Sequence, residues 1–150
     1  MPVPEFTEHG VLPAGVHTCS FPEAELVLSS NLRRSEIWQG LLEFLQWSAG
    51  LPSPTALLLD GSYVTDKADP SDLDVVVDVT TCSEDGQSAW FQAFGAKHVF
   101  VKESFFVDFY PFVVGAGSDF SVFFQYVRVE DALRRGIPPN VRKGILRVKP

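Results

Sequence analysis

Two short runs decide the fold of this sequence: Leu57-Leu58-Leu59-Asp60-Gly61-Ser62 and, after a gap of nine residues, Asp72-Leu73-Asp74-Val75-Val76-Val77. The first run is apolar and stops at a glycine, which predicts a buried strand over 56–60. The second run alternates and is rich in valine, which predicts a strand over 72–79 with its aspartates on one face. The gap contains the turn signal Asp69-Pro70-Ser71, so a loop is expected between the two strands.

The polar residues of these runs combine donors for an anion with ligands for a cation. Gly61 has no side chain, so backbone amides can approach an anion closely there, and the Ser62 hydroxyl adds a donor. Asp72 and Asp74 are two positions apart on a strand, roughly 6–7 Å along the chain. Two like charges so close are unfavourable unless a cation lies between them, and Mg²⁺ prefers carboxylates together with substrate phosphates. The runs therefore predict a site for a metal–nucleotide complex.

A third carboxylate and a flexible cation are expected beside this pair. Asp108 lies in an apolar strand predicted over 105–110, where an isolated carboxylate would be costly. It is interpreted as a ligand of a second metal, about 4 Å from the first, or as the base that activates an acceptor hydroxyl. The alternative is a strand-end aspartate paired with Lys102 or an arginine. Lys67 is the favoured cation for phosphate, with an exposed loop lysine as its alternative. Weaker candidates for that role are Lys102, Arg142 and Lys143.

The spacing of these residues resembles the DNA polymerase β-like nucleotidyltransferase superfamily, in which Gly-Ser, a short gap, Asp-x-Asp and a later aspartate recur. Here Gly61-Ser62, Asp72-Leu73-Asp74 and Asp108 carry the pattern. A closer similarity is to small bacterial and phage-borne nucleotidyltransferase-like proteins of unassigned function. That similarity spans nearly the whole chain and rests on Gly61 to Lys67, Pro70 to Val77, Leu-Pro-x-Gly-x-His at 12–17 and Lys143-Gly144-Ile145.

The resemblance implies an α+β (α/β-like) nucleotidyltransferase fold, with a mixed sheet flanked by helices in a single minimal domain over 1–150. It also implies two Mg²⁺ ions, with Mn²⁺ as an alternative, and transfer of a nucleoside monophosphate. Carried over by position, Gly61 and Ser62 hold the triphosphate. The catalytic metal ligands are then Asp72, Asp74 and Asp108.

Two features depart from the superfamily pattern. Its members start a helix at Gly-Ser, whereas Tyr63-Val64-Thr65 favours extended chain, so the loop is expected to differ in shape. Larger members carry an additional helical domain that grips the base and the acceptor, and the 150 residues here contain nothing of that kind. Acceptor recognition is therefore expected from an irregular N-terminal arm over 1–28, from the basic segment 128–150 or from another chain.

Composition is that of a globular domain. The 150 residues fit one domain, and an apolar content of 45 % excludes a chain disordered throughout. A formal charge of −7 argues against indiscriminate coating of nucleic acid, which needs a basic face. The segment 128–150 differs, with seven basic and two acidic residues, so nucleic acid or an oligonucleotide is expected at that edge alone. The alternative is a solvated basic segment.

Localisation is expected to be cytoplasmic, without membrane insertion. No apolar run reaches the length of a membrane span, and residues 1–15 lack the apolar core of a signal peptide. Cys19 and Cys82 are far apart and match neither a disulfide framework nor a zinc site, so both are expected to be reduced.

Hydrophobic periodicity predicts the remaining elements. The clearest is a helix over 32–49, capped by Ser30 or Asn31 and ended after Gly50. The aromatic stretch 119–127 is ambiguous. The other predicted elements are a helix over 88–97, a strand or strand entry over 98–101, a helix over 129–136 and an edge strand over 144–148.

These observations favour an enzyme that moves a nucleoside monophosphate from an NTP, with ATP as first choice, to a protein hydroxyl or a nucleotide chain end. The setting suggested by the resemblance is toxin–antitoxin or phage defence, with a co-encoded toxin or effector protein as partner. The alternative is a non-catalytic antitoxin or regulatory binding protein that keeps the fold. A metal-dependent nuclease ranks lowest, because no Glu-x-Lys follows the aspartates at strand spacing and Gly61-Ser62 would have no function in it.

Overall fold

The computed structural model describes residues 3–115, 125, 127–138 and 140–150. This part of the chain is an α+β domain with a five-stranded mixed sheet and four helices, which confirms the predicted fold class. The strands are β1 (Val16–Cys19), β2 (Ala56–Asp60), β3 (Leu73–Asp78), β4 (Val107–Phe112) and β5 (Ile145–Val148). The helices are α1 (Phe21–Leu28), α2 (Leu32–Trp47), α3 (Glu84–Phe105) and α4 (Val129–Arg135).

The sheet has the strand order β1-β5-β2-β3-β4. β2 pairs antiparallel with β3 and β5, whereas β1 with β5 and β3 with β4 are parallel pairs. β5 therefore lies inside the sheet, and the expectation of an edge strand over 144–148 is wrong. Three of its four residues are buried, as a strand between two partners requires.

One face of the sheet holds the main core, which α2 and α3 cover. The strand residues that point into it include Leu57, Leu59, Val75 and Val77. Phe109 of β4 lies among four aromatic rings, with centroid distances from 5.2 Å to 6.3 Å. Those rings belong to Phe44, Trp47, Trp90 and Phe94. Side chains alternate along a strand, so the residues between these core positions lie on the opposite face of the sheet. The aspartates of β2, β3 and β4 are among them.

α2 begins where the sequence predicts. Asn31 is its N-cap, and the Asn31 side chain accepts a hydrogen bond from the Arg34 amide at 2.9 Å. The helix ends at Trp47, and a single 3₁₀ turn over Ser48–Gly50 completes the predicted range. The predicted strands over 56–60 and 72–79 and the helix over 129–136 are also present, with small differences at their ends.

α3 is longer than predicted and includes the stretch assigned to a strand. It runs from Glu84 to Phe105, so both the limits 88–97 and the strand entry over 98–101 are wrong. The Ser83 side chain caps it, accepting from the Gly86 amide at 3.1 Å. Val101 packs into the main core, and this tertiary contact outweighs the local strand preference of its neighbours.

The N-terminal region 1–28 is not an irregular arm, because it contains β1 and α1. α1 starts with a capping box: the Glu23 amide donates to Ser20 Oγ at 3.2 Å, and the Ser20 amide donates to the Glu23 carboxylate at 2.8 Å. Pro22 fits the first turn, where the missing amide costs nothing. The proline content of the segment thus marks a helix start.

Two further limits differ from the prediction. β4 begins at Val107, later than 105, and passes through Pro111, which an edge strand tolerates. Of the ambiguous stretch 119–127, only residues 125 and 127 lie within the described part of the chain.

No helix in the described ranges has the length and apolar character needed to cross a bilayer.

Candidate active site

Three aspartates lie side by side on adjacent strands. Asp60 ends β2, and Asp74 and Asp108 are the second residues of β3 and β4. Asp74 is the register partner of Asp60 on one side and of Asp108 on the other. Register partners direct their side chains to the same face, so the three carboxylates form a row across the sheet. Asp72 stands directly before β3, beside this row.

Gly61 brings the backbone against the row of aspartates. Its φ of 85° lies in the left-handed region, and a Cβ at this position would be 2.5 Å from Asp74 Oδ2. The next residue, Ser62, starts a single 3₁₀ turn over Ser62–Val64, after which Thr65 is extended. The loop therefore departs from a pattern in which a longer helix starts at Gly-Ser.

The row of aspartates lines a cavity of about 520 Å³, a volume typical of small-molecule sites. Lys102 and Lys143 also line this cavity, whereas Arg142 does not. Val127 and Arg128, directly before α4, and Asp131, in its first turn, line it as well. The structure thus brings all six predicted site residues into one cavity, namely Gly61, Ser62, Lys67, Asp72, Asp74 and Asp108.

Lys102, in the last turn of α3, lies between two of the carboxylates. Its Nζ is 3.5 Å from Asp72 Oδ2 and 3.5 Å from Asp108 Oδ2. The Tyr110 hydroxyl donates a hydrogen bond to the same Asp108 oxygen at 2.9 Å. The negative charge of Asp108 is the main cause that raises the pKa of Lys102. The pairing considered as an alternative interpretation of Asp108 is therefore present, and it lies inside the cavity.

Asp74 is in an unfavourable position to be ionised. Burial, followed by the negative charges of Asp72, Asp60 and Asp108, raises the pKa of its carboxyl from 3.8 to about 7. The charge of Lys143 acts in the opposite direction. A carboxyl whose pKa is raised by burial and neighbouring charges, and which lines a cavity, is a candidate functional residue.

Asp60 was not identified from the sequence as a site residue. Its side chain is almost fully buried, at 1 % exposure, and burial raises its pKa. The charge of Lys143, followed by a hydrogen bond from the Gly61 backbone, acts against this increase. Charge compensation comes from Lys143, whose Nζ is 3.2 Å from Asp60 Oδ1. An acidic residue that ends an apolar run directly before Gly-Ser was the available signal.

Contacts between two distant segments hold Lys143 in place. The Gly144 amide donates to the Leu12 carbonyl at 2.9 Å, and His17 Nε2 is 2.6 Å from the Pro13 carbonyl oxygen. A Cβ on Gly144 would lie 2.0 Å from that same oxygen. The segments 12–17 and 143–145, both part of the family resemblance, thus pack against each other and position the lysine beside Asp60.

Arg34 fixes the loop between Ser62 and Asp72. It was also not identified from the sequence as a residue that positions the site. Its buried guanidinium donates to the carbonyls of Leu28 at 2.5 Å and Lys67 at 2.6 Å, and to that of Tyr63. It also lies over the Tyr63 ring, 4.5 Å from the centroid. Two arginines in the first turn of α2 oppose the helix dipole, which indicates a role outside the helix.

Two further arginines hold the rest of that loop. Arg33 donates to the carbonyls of Pro70 at 3.1 Å and Ser71 at 2.9 Å. Arg135 of α4 forms an ion pair with Asp66 at 2.7 Å. The loop is therefore fixed on both sides, and with it the position of the donors relative to the carboxylates.

The donor set of the cavity fits a hard cation such as Mg²⁺, because it consists of carboxylate oxygens, which are ligands that this ion prefers. Within the described ranges, no three His, Cys, Asp or Glu side chains are already arranged around a common metal position. The Lys102 ammonium supplies positive charge between Asp72 and Asp108 instead. A divalent ion would therefore have to replace it.

Comparison with known proteins adds a family but no function. A family model, described as one of unknown function, matches residues 4–149, almost the entire chain. Neither a search of curated proteins nor a search of solved structures returns a significant match.

Proposed function

The chain belongs to the family of unknown function DUF6932, and from the chemistry of its cavity we propose that it is a Mg²⁺-dependent nucleotidyltransferase. The reaction moves a nucleoside monophosphate from an NTP, with ATP as first choice, to an acceptor hydroxyl. The proposal draws on the residues of the cavity and on the superfamily resemblance of Gly61-Ser62 and the aspartates.

The carrying observation is that acidic and basic side chains line one cavity. The acidic residues are the row Asp60, Asp74 and Asp108 with Asp72 beside it, and Asp131. The basic residues include Lys67 and Arg128. A nucleoside triphosphate bound to Mg²⁺ has the matching polarity, since the metal needs carboxylates and the phosphate tail needs cations.

Each residue has a role in this proposal. Asp72, Asp74 and Asp108 would hold Mg²⁺, which supplies charge neutralisation at the α-phosphate and orients the attacking oxygen. Ser62 would donate to phosphate oxygens, and Gly61, whose lack of a side chain lets the backbone lie against Asp74, would let backbone amides approach them. Lys67 supplies the flexible cation for the phosphate tail. Asp60 and Lys143 form the buried pair beneath this arrangement and hold the adjoining strand end in place.

The acceptor is proposed to reach the cavity past α4. The helix lies at the rim, and Arg134 is exposed beside Arg128. Either a protein hydroxyl of a co-encoded toxin or effector, or the end of an oligonucleotide held by the basic segment 128–150, fits such a rim. A toxin–antitoxin or phage-defence setting in the cytoplasm is part of the proposal.

Label transfer from ATP tests the proposal. The purified protein is incubated with ATP labelled at the α-phosphate and Mg²⁺ or Mn²⁺, with either the neighbour-encoded protein or an oligonucleotide added. We expect label on one acceptor, and none with the variant Asp72→Asn/Asp74→Asn. If metal and nucleotide bind but no acceptor is labelled, the catalytic proposal fails.

A second candidate is a non-catalytic antitoxin or regulatory binding protein. The observation that favours it is Lys102, which gives Asp72 and Asp108 a counter-charge without any metal. It predicts that Asp72→Ala/Asp74→Ala leaves the biological activity intact. Loss of activity in that variant, with the fold and the complex retained, rejects it.

A further inference from the structure

Lys102 occupies the place between two proposed metal ligands. Its Nζ is equidistant from Asp72 Oδ2 and Asp108 Oδ2, at 3.5 Å from each. Both carboxylates are partly buried, with side-chain exposures of 24 % and 17 %. A single ammonium thus shields two carboxylates that would otherwise repel each other across the mouth of the cavity.

The lysine can leave this place, because its side chain, in the last turn of α3, is 51 % exposed. Its long stem gives the ammonium several alternative positions. Lys143 differs, since it is largely buried against Asp60, and its ammonium has no comparable route to solvent. Among the two cavity lysines that touch carboxylates, only Lys102 therefore combines ion pairing with mobility.

We propose that Lys102 is a displaceable counter-ion that makes divalent cation and nucleotide bind together rather than one after the other. The inference rests on the proposed function. A metal ion arriving alone must expel the ammonium and gains only the ligands that the protein supplies. A metal ion arriving on a triphosphate brings phosphate oxygens as further ligands, and the displaced ammonium gains those phosphates as a new partner.

We expect that a neutral side chain in place of Lys102 makes the binding of the metal ion independent of the binding of the nucleotide. In a variant without the ammonium, Asp72 and Asp108 remain available as ligands, and no lysine competes with a metal ion for them. A metal ion alone should therefore bind more tightly to the variant than to the wild type. Two partly exposed ion pairs correspond to a change of roughly twofold to thirtyfold in affinity. With nucleotide present, the difference in metal affinity between the variant and the wild type should be smaller, because the variant also lacks the ammonium that would bind the phosphates.

Mn²⁺ binding, followed by electron paramagnetic resonance, tests this with and without α,β-methylene-ATP. The variant Lys102→Met removes the charge, and Lys102→Arg keeps it. Lys97→Met is the matched control, because this exposed lysine lies on the same helix outside the cavity. Thermal melting with and without Mn²⁺ gives a second readout, and Lys102→Gln replaces the methionine variant if that variant folds poorly.

The expected result is that Lys102→Met binds Mn²⁺ alone about twofold to thirtyfold more tightly than the wild type, while Lys102→Arg and Lys97→Met match the wild type. Equal Mn²⁺ affinity of Lys102→Met and the wild type overturns the inference, while nucleotide-dependent Mn²⁺ binding by the wild type would still support the proposed function. If no variant binds Mn²⁺ even with nucleotide, both the inference and the proposed function are overturned.

Discussion

Asp74 faces Asp108 in the register of the parallel strands β3 and β4, so both carboxylates leave the same face of the sheet. Asp60 faces Asp74 from the antiparallel side. Three acidic side chains on neighbouring strands repel each other unless positive charge or a proton lies among them. Lys143 and Lys102 supply part of that charge at the two ends of the row, and Asp74 in the middle has no ion pair with a described residue.

Replacement of the middle or the outer carboxylate should abolish the proposed transfer. We expect Asp74→Asn and Asp108→Asn each to lower the rate of label transfer by about a hundredfold or more, because each removes a charged ligand of the metal. The measurement is transfer of labelled phosphate from ATP. Asp78→Asn is the control: Asp78 lies on the same face of β3, outside the cavity, and bonds Thr80. A comparable loss in that variant would contradict the assignment.

The pH dependence of stability should reveal the proton on Asp74. The pKa of its carboxyl is about 7 in the folded protein and 3.8 ordinarily, so the folded state binds more protons than the unfolded state between these values. The free energy of unfolding contributed by Asp74 therefore falls as the pH rises from about 4 to about 7, and is constant above. Other carboxyl groups titrate in the same range, so the relevant quantity is a difference between proteins.

Thermal melts of the wild type and Asp74→Asn in metal-free buffer measure that difference. The variant should gain stability relative to the wild type as the pH rises towards 7, because asparagine cannot ionise. Asp60 has a raised pKa as well and leaves a residual slope in both proteins. Parallel curves for the two proteins over this pH range would disprove a raised pKa at Asp74.

Gly61→Ala should damage the cavity through contact with a carboxylate. The added Cβ combines a positive φ of 85° with a distance of 2.5 Å from Asp74 Oδ2. The matched control is Gly136→Ala, where φ is 68° but no atom lies within 4 Å of the added Cβ. The control should cost about 1 kcal/mol through backbone strain alone. Gly61→Ala should cost more and also weaken nucleotide binding, as measured by denaturant unfolding and calorimetry; equal effects would rule out the contact.

Arg34→Met should destabilise the fold by about 2–4 kcal/mol, because it leaves buried carbonyls without a donor. Those carbonyls belong to Leu28, Tyr63 and Lys67. Arg33→Met is the control, since that side chain is more exposed and should cost about 1 kcal/mol or less. Urea unfolding compares the two. A smaller loss for Arg34→Met than for Arg33→Met would contradict the role assigned to Arg34.

The sequence predicted those parts of the fold that local patterns encode. The short apolar run before Gly61 and the valine-rich alternation after Asp72 are both typical of strands. Both strands are present where the sequence predicts them. The capping box at Ser20 was also readable, but the prolines around it suggested irregular chain. α3 was cut short because β-branched residues near its end favour a strand locally, and only contact with the core keeps them helical.

The site was predictable where spacing along one strand or one loop defined it. The residues that contact the aspartates and the loop could not be predicted, because they lie far away in the sequence. Lys143, just before β5, reaches Asp60, and Arg34 of α2 reaches the loop. The burial of Asp60 likewise depends on β5 lying next to β2. Local sequence patterns do not determine which strands become neighbours in a sheet. These contacts could therefore be identified only from the structure.

The position of β5 between β1 and β2 sets the order in which the molecule can be completed during synthesis. β1 and β2 emerge from the ribosome long before residues 145–148, yet until those residues are available β1 has no neighbour in the sheet and β2 has only β3. The nascent chain therefore carries two strands with unsatisfied edges, and a buried aspartate without its lysine, until the last strand is inserted. Translation that stops short of β5 would yield a protein with exposed, aggregation-prone strand edges and no finished cavity.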